Sequence, residues 1–440
     1  MHSYIVDGGR RLKGSVTINA SKNSATAILI ASLLNEGKTT IKNLPKIEEV
    51  FRIIEVLESI GVKTEWKGRA LEIIPPKNFS INKINVEAAQ KTRSVVLLIG
   101  ALARKLKKFS LPDSGGCKLG RRTIMPHIYA LEDFGIKISS SCDKLDIDAS
   151  KIKPAKEIIM YESGDTATEN AIMIASIIPQ KTIIKFASAN YQVQDLCYFL
   201  KKLGVKIKGI GATTLEIIGR KKLNQDIEYY LTEDPVESML FISAAIVTKS
   251  SIILKRCPME FLELELFKLK KMGFKFKITK EYKARNGFNR LADIKTFPSK
   301  LVAPVEKIYG RPFPGVNIDN LPFFVPIATQ AKGETLIHDW VYENRAIYYA
   351  ELNRLGANIR LADPHRVFIE GPTKLRAAEI TCPFALRPSA IILVAMLAAK
   401  GRSILKNTYT IERGYEDLCG RFRKLGAMVE KKKANIEFLE

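Results

Sequence analysis

Six stretches of the chain are apolar on every side: ATAILIASLL, SVVLLIGALA, NAIMIASII, SMLFISAAIV, FFVPIATQA and SAIILVAMLAA. Helices of that kind must be buried, because they leave no polar face for water. Each is followed by a short β-rich run (TTIKN, FSLPD, TIIKF, SIILK, TLIHD, SILKN) and then by a more amphipathic segment ending in a recurring phrase. The phrase is Leu or Phe, three residues, glycine and a β-rich pair: LESIGVKT, LEDFGIKI, LKKLGVKI, LKKMGFKF, LNRLGANI and FRKLGAMV. Its glycines are Gly61, Gly135, Gly204, Gly273, Gly356 and Gly426, spaced 74, 69, 69, 83 and 70 residues apart. Glycine just past a helix predicts a left-handed cap, and the alternation after it predicts a strand.

Six copies of helix, strand, loop, helix, strand therefore fill the chain. Three copies make a domain of ordinary size, so the pattern predicts an α/β protein of two similar domains, each with helices inside a surround of sheet. The weak point between the third and fourth copies is IEYYLTEDPVE, residues 227–237. It contains no Gly/Ser linker, which predicts short crossing strands and facing loops that form a cleft. Residues 78–90 and 283–300 read as surface excursions.

Composition narrows the class. Over 440 residues, 46% hydrophobic and 26% charged content fits an ordered globular chain. The opening MHSYIVDGGRRLKGS holds no signal-type apolar run, and runs such as AIMIASII stop well short of a membrane span, so a cytoplasmic location and no membrane partner are expected. Six scattered cysteines without CxxC pairs read as free thiols, and four histidines without metal spacing predict no metal and no cofactor. A net charge of +24 fits a nucleic-acid partner, an anionic small substrate, or lysines spread over solvated faces. The lysine runs are short and carry few aromatics, so no specific nucleic-acid partner is expected. The sequence does not set an oligomeric state.

Four loops concentrate chemistry. In NASKNSATAIL, Lys22 and Asn23 precede an apolar helix; this is either an anion site on free backbone N–H groups or a solvated lysine beside an Asn cap. In LPDSGGCKLGRRTIMPH, Cys117 sits among Gly115, Gly116 and Gly120 with Lys118, Arg121 and Arg122 nearby. Neighbouring cations stabilise thiolate, which points to a reactive thiol. In RPFPGVNIDNLPFF, Asp319 is a helix cap, a carboxylate offered to a hydroxyl, or both. In CPFALRPSAIIL, Arg387 is either solvated beside Pro388 or a bidentate grip for carboxylate or phosphate. Lys22, Arg93, Asp319 and Arg387 all stand at the front of apolar helices, so equivalent points of several repeats supply them.

The segments SKN, GGCKLGRR, PGVNIDN, YENR and RGYE resemble those of the UDP-N-acetylglucosamine enolpyruvyl transferase (1-carboxyvinyltransferase) family, and the resemblance runs over essentially the whole chain. Shikimate-type relatives lack the cysteine loop, so Cys117 favours the sugar-nucleotide branch. The resemblance implies a two-domain inside-out α/β barrel of six repeated units, with domains at 1–21 plus 232–440 and at 22–231. It implies transfer of the enolpyruvyl group of phosphoenolpyruvate to the 3-hydroxyl of UDP-N-acetylglucosamine, the first committed step of peptidoglycan precursor synthesis, and attack by fosfomycin on the cysteine. Catalytic roles fall to Cys117, Asp319, Lys22 and Arg387. Lys22, Asn23, Arg122 and Arg387 are implied to hold phosphoenolpyruvate. Arg93, Arg122, Thr123, Ile124, Met125, Pro126, Glu162, Ser163, Gly164, Asp165, Asp319 and Val341 are implied to bind the nucleotide-sugar. The chain departs from the family's pattern at Met125, where the uracil side usually has a carboxylate, and at Glu162, where some members have lysine. It departs again at Asn190 and Gln192, usually a pair of glutamates, and at Pro235, usually arginine.

Overall fold

A computed structural model describes residues 2–112, 123–141 and 143–433. These divide into two compact units: one holds the described residues of 1–19 and 233–440, the other those of 20–116 and 122–232. Each has its own hydrophobic core and three β-sheets among the described residues.

The apolar stretches form the buried helices Lys22–Ala31, Asp165–Ser176, Pro235–Val247 and Leu386–Ala398. Two are less regular. Arg93–Leu97 is a 3-10 turn that runs into the short helix Leu98–Leu102, and Leu321–Phe323 runs likewise into Phe324–Ala328. Pro326, inside the second of these, lacks the N–H that a long helix there needs. All six phrase glycines adopt positive φ, between 79° at Gly135 and 99° at Gly61, the cap for which a residue without Cβ is suited.

Most copies end in a strand pair rather than the single strand expected, as in Lys63–Lys67 with Ala70–Ile74 or Lys206–Lys208 with Thr214–Ile218. The excursion expected at 283–300 holds the strand Arg290–Phe297, which pairs antiparallel with Lys275–Lys283. Its alternation, with Ala292, Ile294 and Thr296 buried, is that of a half-buried strand.

Sheets are completed by chain remote in sequence. His2–Gly8 pairs antiparallel with both Gly401–Lys406 and Met428–Lys433. Lys13–Thr17 lies parallel to Ser251–Pro258, and Ile227–Tyr230 lies parallel to Thr39–Lys42. The strand before each crossing into a new unit thus belongs to a sheet whose other strands lie more than a hundred residues away. Among the described residues, no helix is long and apolar enough to cross a membrane.

Candidate functional site

In the unit containing residues 233–440, the start of Leu386–Ala398 carries Arg387 nearly buried, at 5% exposure, so the solvated alternative is excluded. Its Nη1 donates to the Tyr415 hydroxyl at 2.7 Å, and its Nη2 donates to Asp319 Oδ2 at 3.1 Å. Asp319 is not the cap of the following turn: Asn320 occupies that position, and the Asp319 carboxylate faces cations instead. Its Oδ1 lies 3.6 Å from Nη1 of Arg345.

Arg345 is fully buried and clamped. It donates to Asp339 through Nε at 2.6 Å and Nη2 at 2.8 Å, donates to the Ile318 carbonyl at 2.6 Å, and stacks on Tyr342 at 4.2 Å. Tyr349 donates its hydroxyl proton to the same Asp339 carboxylate. A bidentate pair with a stacked ring fixes a guanidinium in position and plane. Behind Arg387, Asp234 caps Pro235–Val247 by accepting from the Val236 and Glu237 N–H groups. Burial pushes the Asp234 carboxyl up to about 6, against the opposing pull of Arg387. Val341 is exposed, one residue before the ring that covers Arg345.

In the other unit, Ser21 caps Lys22–Ala31 by accepting from Ser24 N–H, so Lys22 is the first helical residue. Asn23 donates from Nδ2 to the Tyr191 hydroxyl at 3.0 Å, and so is not a cap. Arg93 opens the Arg93–Leu97 turn and donates to the Thr123 carbonyl at 3.3 Å. Thr123 Oγ1 accepts from Met125 N–H at the start of Met125–Glu132, in which Pro126 is the second residue.

His127 joins that helix to Asp165–Ser176. Asn170 Oδ1 accepts from Gly100 N–H at 2.9 Å, which orients the amide, and its Nδ2 donates to the Val96 carbonyl and to His127 Nδ1. The ring proton therefore sits on Nε2, 3.3 Å from Thr166 Oγ1. Burial, with Arg93 nearby, lowers this histidine to about 3, so it is a neutral structural post rather than an acid or base. Glu162, Ser163 and Gly164 lead into that same helix, and Asp165 accepts from Ser188 Oγ at 2.6 Å and Asn190 Nδ2 at 2.9 Å.

Of the expected residues, the fold brings Asp319 and Arg387 together in one unit. In the other it gathers Arg93, Thr123, Ile124, Met125 and Pro126 beside the segment Glu162–Asp165. Cys117 and Arg122 lie outside the described residues. Reasoning from sequence assigned no role to Arg345, Asp339, Tyr415 or Asp234. The signal for the first and third was present, because YENR and RGYE had been singled out as motifs. Among the described residues, no cluster of His, Cys, Asp and Glu could hold a metal ion.

The EPSP synthase (3-phosphoshikimate 1-carboxyvinyltransferase) family matches residues 6–422. The chain belongs to this family. It is 34% identical to a UDP-N-acetylglucosamine 1-carboxyvinyltransferase of Treponema denticola, over 98% of this chain and 100% of that one. It is 33% identical to the protein of the same name from Bradyrhizobium diazoefficiens, with 97% of each covered. Among solved structures, the fold is similar to that of the enolpyruvyl transferase NikO from Streptomyces tendae, with TM-score 0.85, 21% identity and 99% of both chains covered. EPSP synthase from Acinetobacter baumannii follows at TM-score 0.76 and 17% identity, covering 98% of this chain and 100% of that one. Both structural likenesses speak for the two-domain α/β fold.

Proposed function

We propose that this chain moves the enolpyruvyl group of phosphoenolpyruvate onto the 3-hydroxyl of UDP-N-acetylglucosamine and releases phosphate, at the entry to peptidoglycan precursor synthesis in the cytoplasm. The observation that carries the reading is the Arg387–Asp319 pair at the front of a buried helix, in a chain that matches UDP-N-acetylglucosamine 1-carboxyvinyltransferases end to end. A cation and a carboxylate in contact suit an anionic donor and a hydroxyl acceptor at one locus. The six-unit inside-out barrel, divided at 1–21 plus 232–440 and 22–231, is part of the same reading.

Chemically, the enol methylene takes a proton, the adjoining carbon becomes cation-like, and the sugar oxygen bonds to it while losing its proton. Loss of a proton from the resulting methyl group and of phosphate then restores the double bond. Cys117 is the proton donor and Asp319 the acceptor for the hydroxyl proton. Lys22, Asn23, Arg122 and Arg387 hold the donor, and their charge counts most as phosphate departs. Arg345 and Arg387 fix the Asp319 carboxylate from two sides, so its direction is set before the acceptor arrives.

The test is mass spectrometry of protein incubated with phosphoenolpyruvate and UDP-N-acetylglucosamine, with phosphate release followed in parallel. Enolpyruvyl product is expected, and fosfomycin should add one equivalent at Cys117. Asp319→Ala should lose about a hundred- to ten-thousandfold in turnover while Cys117 still forms its adduct. Turnover within a few-fold of wild type would remove Asp319 from the mechanism. A second reading, a different nucleotide-sugar acceptor, is favoured by Met125 and Glu162; product with another sugar-nucleotide alone would select it.

A further inference from the structure

Three strands end in an equivalent corner, and the strand Ser251–Pro258 bulges through a fourth. Asn43, Phe186, Arg256 and Asn407 each follow a lysine at the end of a hydrophobic run, and all four adopt φ between 57° and 67°. Asparagine tolerates this left-handed conformation, but a bulky aromatic is strained in it. Phe186 nevertheless occupies one corner and is 60% exposed. Strain held at an exposed side chain points to a use for the side chain.

The surroundings supply the use. The Met160 N–H donates to the Lys185 carbonyl at 3.0 Å and Ser163 Oγ donates to the Phe186 carbonyl at 3.1 Å, so residues 160–163 are pinned beside the corner. Tyr161 lies between those anchors, 73% exposed, with its ring 5.3 Å from that of Tyr129. Tyr129 is one helical turn after Met125, and both are exposed on Met125–Glu132. Apolar and aromatic surface therefore clusters within the group formed by Arg93, the Thr123 carbonyl and the Glu162–Asp165 segment.

We infer that Tyr161, Phe186, Tyr129 and Met125 form a stacking platform for the nucleobase of the nucleotide-sugar, in place of a carboxylate that would accept from the base. The inference rests on the proposed function for its ligand. A planar base, rather than a protein partner, is the occupant because the rings adjoin the segments that the resemblance assigns to the nucleotide-sugar, and because Arg93, held on the Thr123 carbonyl, sets a cation beside them for an anionic nucleotide. Every base has a π-face, so stacking is tolerant of identity where a hydrogen-bond acceptor is not. The platform should therefore accept uracil and cytosine almost equally.

Calorimetric titration of the full chain with UMP and with CMP tests this, using wild type, Tyr161→Ala and Phe186→Asn. UMP and CMP should bind wild type within about threefold of each other. Tyr161→Ala should weaken UMP about tenfold, within the range for losing one base–aromatic stack. Phe186→Asn should also weaken UMP, yet raise Tm by about 2 °C, because the corner loses its strain. That opposed pair of effects is not produced by a residue serving stability alone. No UMP binding to wild type, UMP affinity unchanged in both variants, or a change of oligomeric state in Tyr161→Ala in place of a change in affinity, overturns the platform. Binding of UMP that responds to the variants, in a chain that makes no product from UDP-N-acetylglucosamine, would sink the acceptor reading and leave the platform standing.

Discussion

Arg387 holds its charge almost wholly out of water, and its neighbours determine whether that charge can serve a substrate. Tyr415 is the telling one: its hydroxyl accepts from Nη1 while its ring lies 5.4 Å from the guanidinium carbon. Burial raises this phenol far above its ordinary range, so it stays neutral and acts as acceptor and wall, not as a charge. Removing the hydroxyl alone should loosen the aim of Arg387. Tyr415→Phe is expected to raise KM for phosphoenolpyruvate roughly tenfold, from about 1.5 kcal/mol for a hydrogen bond to a charged group. KM for the acceptor should stay within about twofold, in steady-state assays varying each substrate separately. A general loss of folded protein would shift both constants or neither.

Between the helices Asp165–Ser176 and Tyr191–Lys202 lies a buried acid–amide pair, in which Gln192 Nε2 donates to Glu169 Oε1 at 3.2 Å. Glu169 Oε2 and Gln192 Oε1 find no partner. Burial, reinforced by Asp165, pushes the Glu169 carboxyl well above its usual range, so the group is neutral in the folded protein and has a proton to donate. A second glutamate at 192 would add another carboxyl to this dry site; the amide avoids it. The sign of the pH effect follows from the raised value. Stability from protonated Glu169 is complete below the unfolded carboxyl range and is lost as pH rises toward the folded value. Glu169→Gln should therefore raise Tm at pH 8, with the gain vanishing near pH 4. Equal gains at both pH values in thermal melts would show that Glu169 does not titrate between the states.

Taken as a whole, the molecule carries +24, and that charge was open to three readings. Several lysines are engaged locally, as in Lys42 with Glu228 at 2.7 Å, Lys185 with Glu157 at 2.8 Å and Lys431 with Glu412 at 2.8 Å. Such pairs contribute little to stability but place carboxylates among the lysines. Binding of duplex and single-stranded oligonucleotides should accordingly be weak, about 10⁻⁴ M or poorer at physiological salt, and insensitive to sequence. Fluorescence anisotropy between 50 and 200 mM salt should show the steep loss expected of phosphate contacts alone. Sequence-selective binding that survives this range would restore the nucleic-acid reading.

The periodic features were legible before any coordinates. Wholly apolar helices, glycine caps and alternating strands are local consequences of burial and backbone sterics, so a repeated phrase reveals them wherever it recurs. Asp319 and Arg387 were legible for a similar reason, because each interrupts an apolar helix start with a charge. The strand partners were not. Nothing local in HSYIVDG says that it pairs with chain about four hundred residues away, and the alternation in RLADIKTF does not say which strand it pairs with. Nor could spacing reveal that Arg345 stands between Asp339 and Asp319, or that an asparagine corner had been given to Phe186. Sequence determined which residues had to be buried, capped or charged, since those demands act within a few residues. Tertiary structure alone decided which charges meet and which rings share a surface, because distance through space is set by how remote segments pack.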